Sequence, residues 1–92
     1  MKSTKSANHS FVIGQAVFIR TVTHYYTGCV ASVTDSDVGL DNAAWIADTG
    51  RFADAFKSGF NEVEPYPVRV YVCRGAIVDF CEWSLELPRK QK

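Results

Sequence analysis

The sequence predicts a mainly β protein: a small, five-stranded, strongly bent antiparallel barrel with one short helix inserted between strands 3 and 4. Three observations predict it. Runs of β-branched and aromatic residues recur at short intervals, and clusters of Gly, Asp, Ser and Asn separate them. The chain has 92 residues, which suits one small domain. Five short strands in so short a chain share one core most readily when the sheet curls.

The elements follow in order. Met1–Ser10 is rich in Ser, Lys and Asn and is expected to be a flexible basic tail ahead of a single domain spanning 11–87. Ala16–Thr23 reads as the first strand, His24–Gly28 as a turn, and Cys29–Val33 as the second strand. Thr34–Asp37 has turn chemistry, because its short polar side chains bond nearby backbone amides. Val38–Leu40 begins a third strand, open to continuation through Ala43–Ile46. Asp48-Thr49 offers an N-cap, Phe52, Ala55 and Phe56 recur at helical spacing, and Gly59 is a stop, which predicts a helix near 50–58. Glu62–Pro67 reads as a stiff linker, since each proline holds its predecessor extended. Val68–Cys73 alternates with Val68, Val70 and Val72 on one face. Arg74-Gly75 breaks it tightly. Ala76–Cys81 is the fifth strand, with Ala76, Val78 and Phe80 on one side and Ile77 and Cys81 on the other. Residues 88–92 form a second basic tail.

The formal charge is zero, from ten Lys and Arg against ten Asp and Glu, but its distribution is uneven. Lys2, Lys5, Arg89, Lys90 and Lys92 lie in the tails, which hold no acid. The body, 11–87, carries five bases and all ten acids, a net charge of −5. An acidic body disfavours broad phosphate neutralisation. No apolar run is long enough to span a membrane, so no membrane partner is expected. The polar start lacks the apolar centre of a signal peptide. Three cysteines without C-x-x-C spacing argue against a disulfide framework or a zinc knuckle. A cytoplasmic location follows, with no cofactor and no metal site.

No enzyme signature stands out. Cys29 and His24, five residues apart, offer the one conceivable nucleophile–base pair, weighed against a small strand residue and a solvated turn histidine. Asp35, Asp37 and Asp41 have odd spacing, but the glycine and distal glutamate of an EF-hand loop are misplaced. Binding is the better class. His24-Tyr25-Tyr26 gathers three rings that either stack on bases or a protein, or fold back over the barrel end. The fifth strand is apolar on both faces, and Trp83, Leu85 and Leu87 beyond it either cap the barrel or join a subunit contact. An edge of that kind recruits another chain, so a homo-oligomer joined edge to edge is expected through Ile77, Val78, Phe80 and Trp83. A head-to-tail contact of this type closes into a ring.

Tyr26–Asp35 with Val38–Ala43 resembles the first signature of the Sm/Sm-like (LSm) family: strand, glycine, strand, aspartate, short strand. Val70–Val78, which contains Arg74-Gly75, is similar to the second. Together the signatures cover residues 16–43 and 68–81. Gly39 falls near the place of a base-reading asparagine in that family, and the insert holding Trp45 and Phe52–Phe60 is longer than a minimal Sm loop. The resemblance implies a ring whose pore Arg74 lines, touching a base or phosphate of single-stranded RNA, with Gly75 allowing close approach. The residues alone leave open a pairing of Arg74 with Asp35 or Asp37. The expected nucleic-acid set is Arg74, Gly75, Tyr25, Tyr26 and Asp35. The stretch His24–Phe52 also resembles small proteins of phage and prophage genomes. A structural or adaptor role in a phage particle, with the barrel serving oligomerisation, is the alternative function.

Overall fold

The computed structural model describes residues 11–92, apart from the side chains of Asp48, Phe52 and Ser58; the predicted tail 1–10 lies outside the described residues. In chain order the elements are β1 (Ala16–Thr21), β2 (Tyr25–Val33), β3 (Asp37–Asp48), α1 (Phe52–Ser58), β4 (Glu62–Pro65), β5 (Val70–Cys73), a 3-10 turn (Arg74–Ala76) and β6 (Ile77–Glu82). The protein is mainly β, antiparallel throughout, with one short helix among the described residues. The ladder runs β4-β3-β2-β1-β6, and β5 pairs with β3 off that path.

Six strands form where five are predicted. The extra one is β4, inside the segment read as a stiff linker. Pro65 is tolerated there because it closes a short strand that has one strand neighbour, β3. The ladders do not close into a barrel: among the described residues β6 pairs with β1, and β5 with β3, without a strand on their other edges. Tyr25–Gly28, read as a turn, lies in β2, and the reversal is confined to Val22–His24. There Thr21 Oγ1 donates to the His24 carbonyl at 2.7 Å, and the Thr21 N–H donates to the same oxygen at 2.9 Å.

β3 is a single twelve-residue strand whose two halves have different neighbours. β2 runs along its whole length, so both other partners lie on its opposite edge. β5 takes Asp37–Leu40 there, and β4 takes Ala44–Asp48. Asn42 separates the halves with φ 52°, a left-handed conformation that asparagine tolerates better than most residues. This kink shifts the alternation, so that Val38 and Leu40 before it enter one core, whereas Ala44 and Ile46, an even number of residues further on, enter the other.

Side-chain alternation along β1 creates those two cores. Val17 and Ile19 face a first core with Phe11, Val30, Val38, Leu40, Ala43 and Val72. Phe18 faces a second core on the other side, with Ala44, Ile46, Ala55, Phe60, Val63 and Trp83. α1 covers the second core through Ala55 and Phe56, and its seven residues are stable only because that face is docked. Arg51, not Asp48 or Thr49, holds the N-cap position and makes no side-chain cap. Gly59 ends the helix as predicted, with φ 91° and its N–H on the Ala55 carbonyl.

β6 departs from strict alternation. Its register against β1 shifts between Arg20 and Thr21, which turns both Ile77 and Phe80 towards the first core and leaves Val78 outside. Residues 88–92, read as a basic tail, are docked on β4. Lys92 exchanges two backbone hydrogen bonds with Val63, at 3.0 and 3.1 Å. The Arg89 guanidinium donates to the carbonyls of Ala43 (2.7 Å) and Tyr66 (3.0 Å).

Candidate functional site

Three of the five expected nucleic-acid residues meet at one end of the sheet. The β2–β3 turn is built around Thr34, whose Oγ1 accepts from the Ser36 and Asp37 amides at 3.1 and 3.0 Å. That arrangement lifts Asp35 to the exposed tip. The 3-10 turn docks beneath it: the Arg74 N–H donates to Ser36 O at 2.9 Å, and Arg74 Nη1 reaches Thr34 O at 3.4 Å. The same guanidinium lies 5.7 Å from the centre of the Phe11 ring, within cation–π range. A Cβ on Gly75 would meet nothing within 4 Å, so the space above the turn is open. Arg74, Gly75 and Asp35 thus form one polar, accessible corner.

The two tyrosines belong elsewhere. β2 starts at Tyr25, so Tyr25 and Tyr26 sit at the opposite end of that strand from Asp35. As neighbours in a strand they also point to opposite faces. Tyr25 stacks on Phe18 at 5.5 Å over the second core. Tyr26 joins a half-buried aromatic group with His24 (4.7 Å) and Tyr66 (6.3 Å), and Trp45 stands 5.5 Å from His24. Burial and the adjacent Tyr66 hydroxyl push the Tyr26 hydroxyl above its ordinary pKa. Burial pulls His24 below its ordinary value, so its imidazole is neutral at pH 7. Sequence reasoning missed Trp45 and Tyr66, which reach this group only through the pairing of β2 with β3 and of β3 with β4.

A cleft of about 480 Å³ opens beside Tyr25, lined by Phe18, Arg20, Tyr25, Thr49, Asp79 and Cys81. Arg20 and Asp79 close its rim as an ion pair, with Nε donating to Oδ1 at 3.0 Å and Nη2 donating to Oδ2. Desolvation, with the nearby Asp79 charge, raises the Cys81 pKa, which keeps the thiol protonated and a poor nucleophile. Cys29 and His24 are not brought together. Cys29 lies opposite Ala16 and Asp41 along β2, whereas His24 Nδ1 is 2.8 Å from Thr23 Oγ1. No group of three or more His, Cys, Asp or Glu able to hold a metal occurs among the described residues.

The four expected interface residues divide. Val78 is 55% exposed on β6, whereas Trp83 is 5% exposed. Trp83 packs on Phe60 (4.7 Å), Phe56 (5.0 Å) and Phe18 (5.9 Å) of its own chain, and so offers little surface to a second copy. Ile77 and Phe80 are half-buried against the first core, and Phe80 stacks on Phe11 at 3.9 Å. No family model, curated protein or solved structure matches this chain.

Proposed function

We propose that the chain is an Sm-like, ring-forming binding module of phage or mobile-element origin that takes single-stranded RNA at the corner formed by Arg74, Gly75 and Asp35. One observation carries the reading: β5 and β6, each without a second strand partner among the described residues, flank a single 3-10 turn, and that turn bears Arg74 and Gly75. β5 of one copy against β6 of the next is a head-to-tail contact, and repetition of such a contact closes a ring. It would bring the Arg74 turns of neighbouring copies together, concentrating positive charge that one subunit lacks. The sharing of β1 between β2 and β6, and the kinked β3, fit a bent sheet of the small-barrel type.

A phage structural or adaptor role is the second reading, and a specific observation favours it. Arg20 and Arg69 are engaged with Asp79 and Asp41, and Arg89 with backbone carbonyls, so much of the cationic charge is already committed.

Mass determination in solution, with oligo-U and oligo-A titrations at two salt concentrations, decides between them. The RNA reading expects an oligomer that binds at low salt, with log K falling as log salt rises. Arg74→Ala is expected to weaken binding at least tenfold with the mass unchanged. An oligomer that binds neither RNA at low salt leaves the structural reading, and a monomer at micromolar concentration overturns the ring.

A further inference from the structure

We infer that the outer edge of β4 is a strand-accepting groove for an extended arginine-bearing segment, and that Pro88–Lys92 of one copy exchanges onto this edge of a second copy. In the chain's own fold that segment is the occupant. Val63 turns its N–H and C=O away from β3, and Lys92 satisfies both. The Arg89 guanidinium bridges the carbonyls of Ala43 and Tyr66, one on each side of the β3–β4 junction, and these charge-assisted bonds suit a planar fork better than a lysine. Acidic residues Glu62 and Glu64 flank Val63, which favours a segment carrying Lys90 and Lys92.

The contact is built to open. Among the described residues its hydrogen bonds beyond Pro88 are the Lys92–Val63 backbone pair and those of the Arg89 guanidinium, and Arg89–Lys92 are exposed. A groove of about 690 Å³ lined by Asn42 and residues 86–90 and 92 runs beside the segment, so it is not packed into the core. Segments with few buried contacts open locally at small free-energy cost. Once open, Val63 presents an unpaired N–H and C=O, and a bare strand edge recruits another extended chain. The same segment on another copy carries the arginine that the two carbonyls select. This exchange is independent of the proposed β5–β6 contact, because it uses the outer edge of β4, which pairs with the other half of β3 from β5.

The test uses a chain lacking residues 88–92, labelled with 15N and followed by NMR at the Val63, Ala43 and Tyr66 amides. Its probes are the peptide Leu-Pro-Arg-Lys-Gln-Lys and, separately, the unlabelled full chain. Both are expected to shift the Val63 amide saturably. The peptide is expected to bind the labelled full chain, whose groove is filled, at least tenfold more weakly. A peptide with glutamine in place of arginine is expected to lose at least tenfold. The proposal is overturned if neither probe moves Val63, if the peptide alone does so, or if the glutamine peptide binds equally well. Should the shortened chain fail to fold, Arg89→Gln in the full chain provides the second measurement. Hydrogen exchange at the Val63 amide is then expected to quicken at least tenfold, and unchanged exchange overturns the anchoring role of Arg89.

Discussion

Replacing Gly28 with alanine tests how closely β2 and β3 approach at the centre of the first core. An added Cβ would sit 2.8 Å from Leu40 Cβ and 3.3 Å from both Leu40 Cδ1 and Asp41 O. Carbon atoms in good contact are about 3.5–4.0 Å apart. A change of rotamer cannot move Leu40 Cβ, and Leu40 is fully buried, so the strands themselves must part. Gly28 is held from the other side by Val17 of β1, and it lies where the β2–β3 register shifts. Overpacking of this kind costs about 1–3 kcal/mol, and alanine regains roughly 0.4–1 kcal/mol by restricting the unfolded chain. The net loss is about 1–2 kcal/mol. With a urea m-value of about 1 kcal/mol/M for a small chain, the midpoint falls by roughly 1–2 M with m unchanged. Gly75→Ala is the matched control: its Cβ meets nothing, so it is expected to be neutral or slightly stabilising. Urea unfolding followed by tryptophan fluorescence, at one fixed protein concentration, measures both. A Gly28→Ala midpoint equal to that of the unaltered chain would refute the reasoning.

Three further outcomes are expected. Thr27 is fully buried and its Oγ1 has no hydrogen-bond partner, so Thr27→Val removes an unsatisfied hydroxyl. It should raise stability by about 1 kcal/mol, or roughly 4–8 °C in Tm, and calorimetry showing a fall would contradict it. His24 is expected to titrate by NMR below the ordinary histidine value of about 6.5. Its contribution to stability is therefore complete above that value and lost as pH falls towards the lower folded-state value, and His24→Gln should flatten that part of the profile. The hydrogen bond from Arg69 Nε to Asp41 Oδ1 (2.7 Å), with its charge, holds the Asp41 carboxyl below the ordinary range. Its contribution is present above the unfolded value and lost as pH falls through the folded one. Arg69→Leu is expected to return the Asp41 titration to the ordinary carboxylate range, with little change in stability because both groups are exposed.

Much of the architecture was legible because local chemistry and tertiary demand agree. The Thr34–Asp37 turn and the Phe56–Gly59 helix end appear where the sequence puts them. Of the alternating valines before Cys73, Val70 and Val72 pack on the first core, whereas the strand starts only at Val70 and leaves Val68 exposed ahead of it. The failures share a cause. Gly28 marks a strand–strand approach, not a turn, and only the position of Leu40 distinguishes the two. Pro65 conceals a strand because a short strand with one strand neighbour can accept it. The continuation of the third strand past Asn42, left open by the sequence, is realised, and the left-handed φ of Asn42 within it is what no pattern displays. At the site, Arg74, Gly75 and Asp35 were legible as a set, since two turns supply all three. Tyr25 and Tyr26 were not, because strand alternation parts them. Arg89 was read as tail charge, and its role depends on the Ala43 and Tyr66 carbonyls, which no sequence pattern displays.

β1 also governs the order in which the molecule is completed. Its edges are held by β2, the next strand along, and by β6, in which Glu82 pairs with Val17. Both cores touch β1, yet Trp83, which fills the second, follows β6 in the chain. During synthesis the first hairpin therefore waits with one bare edge and one uncovered aromatic face until β6 and Trp83 have emerged. Pairings this distant in sequence make folding slow relative to helical domains of the same size, and they expose an adhesive intermediate in the interval. A chain halted before residue 77 is expected to aggregate rather than persist as a smaller folded unit.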